Sequence, residues 1–171
     1  MQQDSVGFLW FATWNGLVRF DGLNFHVFQP ILFSDGSIDS NRIYNIRISS
    51  SGDIWCVSSD NCLYLFDRDS MKFQNLHKLI PEISDKKVKV ITPMKNGVTW
   101  ILFKDFTALR LNDKAPLDGY RFIGDADNVA KSNPRINSIS RTDIGDEWFL
   151  TESKAINISR DYSVAGKYRS V

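Results

Sequence analysis

The chain has 171 residues, 43% hydrophobic and 24% charged, which is enough apolar content to bury a core and too much for a disordered chain. Lys and Arg number 21 against 20 Asp and Glu, without a long like-charge block, so the charge pattern gives no support for nucleic acid or an anionic membrane surface as partner. No apolar run approaches the roughly 18–20 residues of a membrane helix, and Met1-Gln2-Gln3-Asp4 lacks the basic end and apolar core of a signal peptide.

The first informative stretch is GFLWFATWNGLVRFDG, Gly7 to Gly22, in which aromatic and aliphatic residues are broken by turn residues. It predicts a strand over Phe8–Thr13 and another over Leu17–Asp21, joined by the hairpin dipeptide Asn15-Gly16. The stretch is then written again. Gly7-x-x-Trp10 returns as Gly52-x-x-Trp55, Gly97-x-x-Trp100 and Gly145-x-x-Trp148, with tryptophan steps of 45, 45 and 48 residues. Nine residues before the last three tryptophans sit Ile46, Ile91 and Ile139, and three before those sit Ile43, Val88 and Ile136. Downstream come Leu17, Leu63, Leu109 and Ile156, with acidic stops at Asp21 and Asp67. A period of this length signals a solenoid, a propeller or an array.

The second repeat decides among these. Ile43, Ile46 and Ile48 mark one strand, Ile54–Ser58 a second, Cys62–Asp67 a third and Met71–Leu76 a fourth, with turns between them. Residue character alternates with period two, and no segment offers a sustained helical stripe. Four strands in 45 residues describe one antiparallel blade of a β-propeller. The expected fold is therefore all-β, about three and a half to four blades, with repeats at roughly 1–40, 41–86, 87–132 and 133–171. The segment Asp113–Ser132 reads as an extended loop carrying an outer strand at Tyr120–Ile123.

Residues with chemical potential are sparse. His26 and His77 are isolated on predicted outer strands, where solvated surface histidines are expected, and no ligand spacing points to a metal. Cys56 and Cys62 lie across one predicted hairpin, and the expected state is a buried free thiol rather than a bridge. Phosphate loops, nucleophile elbows and zinc motifs are missing from the sequence, so no cofactor is expected. Asp4, Asp21, Asp53, Asp67, Asp105 and Asp143 fall mostly at turns, where a carboxylate bonds nearby amides. A ligand site belongs on the face where loops lead into the innermost strands: Asn41, Arg42, Tyr44 and Asn45 in the second repeat, and Asn133, Arg135 and Asn137 in the fourth. Trp14 and Asn15, at a hairpin tip, serve either hairpin packing or a sugar as an aromatic plate with an amide. For Arg42 and Arg135 a salt bridge between blades competes with ligand contact.

QDSxGFLWFATWNGLxRFDG, Gln3 to Gly22, resembles the opening repeat of the two-component regulator propeller family, as does Ser40–Ile46 followed nine residues later by Trp55. The resemblance implies a section of a larger, seven-bladed propeller in the periplasmic sensor region of a hybrid two-component system protein of Bacteroides type. It further implies an oligosaccharide as ligand, and a membrane helix and a histidine kinase in other parts of the parent; that this chain is not an enzyme is expected from the lack of a catalytic constellation in its sequence. The competing functions are a propeller scaffold for protein–protein interaction or dimerisation, and a carbohydrate-active lyase. The first repeat aligns with its inner strand missing: the slot of Ile46 falls at Met1. Self-association through open blade flanks bearing Trp10 and Trp148 is therefore expected.

Overall fold

The computed structural model describes residues 1–30, 36, 38–123, 135–142, 147–151 and 155–157. Among them the chain is all-β, with four antiparallel sheets that fit blade sections of a propeller. The first sheet runs β1 (Gln2–Gln3), β2 (Leu9–Thr13), β3 (Gly16–Phe20), β4 (Phe25–Phe28). The second runs β5 (Ile43–Ile48), β6 (Ile54–Ser58), β7 (Leu63–Asp67), β8 (Lys72–Asn75). A one-turn helix α1 (Leu76–Leu79) and a 3-10 turn (Pro81–Ile83) follow it. The third sheet comprises β9 (Val88–Pro93), β10 (Val98–Phe103), β11 (Ala108–Asn112) and β12 (Arg121–Ile123). The fourth comprises β13 (Ile136–Arg141), β14 (Glu147–Thr151) and β15 (Ala155–Asn157). The chain forms two compact bodies, Met1–Lys86 with the first two sheets and Lys87–Val171 with the others.

Alternation along each strand explains why the tryptophans recur. In the first body Trp10, Leu17, Ala12 and Phe28 share one face of the first blade. They pack on Ile46, Ile54, Cys56, Tyr64 and Phe66 of the second, forming a single core. The Trp10 and Phe66 ring centroids are 5.8 Å apart. In the second body Trp100 meets Phe149 edge-on at 5.0 Å, within a core that includes Ile136 and Ile139. Large rings fill the wedge between blades because nothing else supplies so much apolar volume per residue. The glycine three residues before each tryptophan turns the chain at positive φ, +107° at Gly7, +94° at Gly52 and +79° at Gly97, where a Cβ is penalised. Gly145 lies outside the described residues.

Four expectations are corrected. The inner strand of the first blade is present as Gln2–Gln3, paired Gln2↔Trp10 and Gln3↔Leu9. Two residues carry too little periodicity to be read, yet they supply ladder bonds, and the Gln2 side chain accepts the Ile48 amide of the next blade. Trp10 does not face an open flank: it is fully buried inside its own body. Leu109 and Ile156 are not the counterparts of Leu17 and Leu63. Cross-strand pairing puts Ala108 opposite Leu102 and Ala155 opposite Leu150, so Leu109 and Ile156 stand one step along, on the other face. Finally, His77 sits on α1 rather than an outer strand. Its Nδ1 accepts the Leu63 amide at 2.9 Å and its Nε2 donates to the Lys86 carbonyl at 2.8 Å, which places the ring proton on Nε2. It is a structural pin, whereas His26 is half exposed beside Asp21 as a surface histidine.

Both cysteines are free. Cys56 is fully buried in the core of the first body, and burial pushes its thiol far above the usual range, so the thiolate needed for reaction is suppressed. Cys62 is also raised, first by burial and then by the neighbouring Asp60 charge. Iodoacetamide at neutral pH is therefore expected to leave Cys56 unmodified in the native chain and to label it on unfolding. Rapid native labelling at Cys56, read by mass spectrometry, would contradict this placement.

Candidate functional site

The turns are held by their own carboxylates. Asp21 Oδ1 accepts the amides of Leu23 and Asn24, Asp67 Oδ1 those of Asp69 and Ser70, and Asp105 Oδ1 that of Thr107. Asp143 lies outside the described residues. Asp4 does more than close a turn. Its Oδ1 accepts the amides of Val6, Gly7 and Phe8, and its Oδ2 accepts the Trp10 indole at 2.8 Å and meets Arg68 of the next blade at 3.1 Å. In the second body Glu147 Oε2 takes the corresponding indole, Trp100 Nε1, at 3.0 Å. These acids are committed to structure.

At the opposite ends of the strands, hairpin tips meet the lead-in to the next blade's inner strand. The tip between β2 and β3 is Trp14-Asn15, with Gly16 at φ +102° as the first residue of β3. Gly16 lies six residues after its tryptophan, as do Asn61 at φ +67° and Phe106 at φ +68°. The positive-φ position of the hairpin is thus Gly16, the second residue of the Asn15-Gly16 dipeptide read from sequence. The Gly16 amide donates to the Asn41 carbonyl, and the Ser59 amide donates to the Arg42 carbonyl at 2.9 Å. The backbone of Asn41-Arg42 is therefore clamped between the hairpin tips of two successive blades.

On that clamp the Arg42 guanidinium lies over the Trp14 ring, 4.5 Å from its centroid, and Trp14 is 77% exposed. Of the two roles left open for Arg42, the inter-blade salt bridge is not formed among the described residues; the guanidinium makes a cation–π contact instead. Asn15 and Asn41 are exposed beside it. Tyr44 is 52% exposed for a specific reason: pairing jumps from Ile43↔Ser58 to Asn45↔Val57, so Tyr44 is the extra residue of a bulge that aims its side chain outward. Partial burial raises the pKa of its hydroxyl. Asn45 is drawn away from this group, because its side-chain oxygen accepts Arg47 at 2.9 Å.

The second body repeats the plan. Arg135 stands in the place of Arg42, and its guanidinium is 5.3 Å from the Phe106 ring centroid. Lys89 approaches the same ring at 5.0 Å and the Asn137 carbonyl at 3.5 Å. Lys89 and Asn137 are bulge residues in register with Tyr44, skipped between Leu102/Phe103 and Ile136/Ser138. Asn133 lies outside the described residues. Sequence reasoning missed Phe106 and Lys89, although the six-residue offset from Trp100 and the register with Tyr44 were signals for both. Each body therefore gathers an aromatic hairpin tip, an arginine and outward bulge residues, which can stack on a ring or an apolar sugar face and donate hydrogen bonds. Among the described residues no group of three or more His, Cys, Asp or Glu could hold a metal, and no helix is long and apolar enough to cross a membrane.

No family profile and no curated protein matches the chain. Solved structures do. The extracellular domain described for the hybrid two-component system BT4673 of B. thetaiotaomicron matches at TM-score 0.57 and 17% identity, over 92% of this chain and 23% of that one. That of BT3049 from the same organism matches at TM-score 0.51 and 16% identity, over 98% and 29%. PorZ, a surface component of the type-IX secretion system of Porphyromonas gingivalis, matches at TM-score 0.58 and 15% identity, over 94% and 24%. The chain spans about a quarter of the length of these structures. At such identities the likeness is one of fold: the blades of this chain are built like sections of extracellular domains from Bacteroides two-component proteins.

Proposed function

We propose that the chain is a section of the periplasmic sensor region of a hybrid two-component system protein, and that it contributes to binding an oligosaccharide released from a glycan. The resemblance of Gln3–Gly22 to the regulator propeller repeat and the fold shared with the BT4673 and BT3049 domains both support this reading. The observation that carries the binding step is the exposed Trp14 ring, backed by Arg42 at 4.5 Å on a doubly clamped backbone. A preorganised aromatic plate flanked by amides suits a pyranose, whose C–H face stacks while its hydroxyls bond Asn15, Asn41 and Tyr44. This chain acts by binding alone. The kinase, response regulator and membrane helix belong to other parts of the parent, which pass the signal on.

Isothermal titration against a panel of neutral and acidic disaccharides to hexasaccharides tests the reading. At least one member should bind, and Trp14→Ala should weaken it at least about tenfold, a loss of roughly 1.4 kcal/mol. A panel without a binder, or a Trp14→Ala variant with unchanged affinity, overturns it. A second reading, a scaffold for protein–protein interaction, is favoured by PorZ, where the same fold belongs to a secretion-system component. It predicts unchanged titration heats across the whole panel.

A further inference from the structure

The two bodies build their blade tips on one plan but charge them differently. Thirteen residues before its tryptophan each lead-in carries a cation: Arg42 in the first body, Lys87 and Arg135 in the second. Tyr44, the bulge residue of the second blade, has Lys89 as its counterpart in the third. The tip residue Trp14 has Lys104 in its place, four residues after Trp100. At these positions the first body holds Arg42 as its one cation, whereas the second gathers Lys87, Lys89, Lys104 and Arg135, all four exposed.

The backbone brings them together. The Lys104 amide donates to the Lys87 carbonyl at 2.8 Å, the clamp that Ser59 makes on Arg42. Lys89 Nζ and the Arg135 guanidinium lie 5.0 and 5.3 Å from the centroid of the same ring, Phe106, where two like charges repel. The three lysines have no carboxylate partner among the described residues. The acid of this tip, Asp105, turns its Oδ1 to the Thr107 amide and hydroxyl at 3.1 and 2.7 Å. An anion placed among these cations removes their mutual repulsion, and each contact it makes is a charge-assisted hydrogen bond.

We infer that this tip, formed by the third blade and the lead-in of the fourth, binds the anionic group of an acidic saccharide, a uronate carboxylate or a sulfate ester. Arg135 offers a planar fork of donors that matches either group. Lys89 has one donor on the Asn137 carbonyl at 3.5 Å and keeps others for the anion. Lys87 and Lys104 raise the local positive potential and draw the anion in. A saccharide is the carrier because these are the positions at which the first body offers Trp14 and Tyr44. Only in that choice of carrier does the inference rest on the ligand reading above.

Isothermal titration of the 171-residue chain with three oligosaccharide sets matched in length tests it: one neutral, one carrying uronate carboxylates and one carrying sulfate esters. At least one acidic member should bind at least about tenfold tighter than any neutral one, with an advantage that shrinks as salt rises. Lys89→Gln and Arg135→Gln should each cost at least about tenfold in acidic affinity and leave neutral binding unchanged, while Lys89→Arg keeps both. The Lys87→Gln, Lys104→Gln double variant stands in if circular dichroism shows either single variant misfolded. Acidic binding that survives Trp14→Ala but falls in Lys89→Gln supports this site while the Trp14 reading fails. Saccharide binding lost in Trp14→Ala, with no acidic advantage, has the opposite meaning. An acidic set without a binder, a Lys89→Gln variant with native acidic affinity, or inorganic sulfate binding as tightly as the best acidic saccharide overturns the inference.

Discussion

Replacing Asp4 by alanine should cost the Met1–Lys86 body about 3 kcal/mol. One carboxylate there satisfies three backbone amides through Oδ1, and the Trp10 indole and Arg68 through Oδ2. Removing it strands a fully buried indole nitrogen and leaves a mostly buried guanidinium uncompensated, and unsatisfied buried donors cost about 1–3 kcal/mol each before relaxation. The same group sets an acid limit. Burial raises the Asp4 pKa, but the Trp10 indole, the Phe8 amide, the Arg68 charge and the Val6 amide together hold it below the ordinary aspartate value. Asp39 is lowered chiefly by the Lys78 hydrogen bond, and Asp67 chiefly by the Ser70 hydroxyl. A carboxylate lowered in the native state contributes fully above its unfolded pKa of about 3.9 and loses that contribution as pH falls through the native value. Urea midpoints followed by tryptophan fluorescence should therefore hold steady down to about pH 5 and fall steeply below about pH 4. In Asp4→Ala the midpoint should already be low at pH 7, and the acid slope should flatten. A change under about 0.5 kcal/mol at pH 7 would place Asp4 among ordinary surface residues.

Asp4 and Glu147 also mark how far the sequence could be read. The blade repeat was legible because Gly-x-x-Trp reports two local necessities at once, a positive-φ turn and a wedge-filling ring, and both sit within four residues. Strand order and most strand limits in the second blade followed from period-two alternation. The acceptor for each indole was not legible in the same way. Trp10 finds Asp4 six residues away in its own turn, while Trp100 finds Glu147 in the next blade, 47 residues on. Burying an indole N–H demands an acceptor but does not say which element provides it. The site shows the same split. Trp14, Asn41, Arg42 and Tyr44 were nameable because loops into inner strands are the exposed end of any blade. The bulge that turns Tyr44, Lys89 and Asn137 outward is a register event between two strands, and no single strand contains it. Phe106 was hidden for a related reason: a phenylalanine at positive φ defies local propensity, and two cations on its ring accompany that backbone.

Gly16→Ala is expected to damage fold and site together. Gly16 has φ +102°, outside the left-handed well that Asn61 and Phe106 tolerate, so a side chain there is strained wherever it points. Space is lacking as well, because a Cβ built on Gly16 runs into the Phe28 backbone carbonyl. That carbonyl belongs to the outer strand β4, whose Phe28 ring stacks on Trp10, so retreat of the strand would open the core between the two blades. The two penalties sum to about 2–4 kcal/mol, which lowers the melting temperature by roughly 5–12 °C in a chain of this size. The effect on the site is separable from the loss of stability. The Gly16 amide holds the Asn41 carbonyl, and a displaced tip loosens the clamp that seats Arg42 over Trp14. Well below its melting point, Gly16→Ala should therefore show greater Trp14 ring mobility and weaker saccharide binding than Asp4→Ala, which unsettles the far end of the strands. Equal melting temperatures for Gly16→Ala and the native chain would refute the steric argument. Equal ligand affinities would break the link drawn between the glycine and the site.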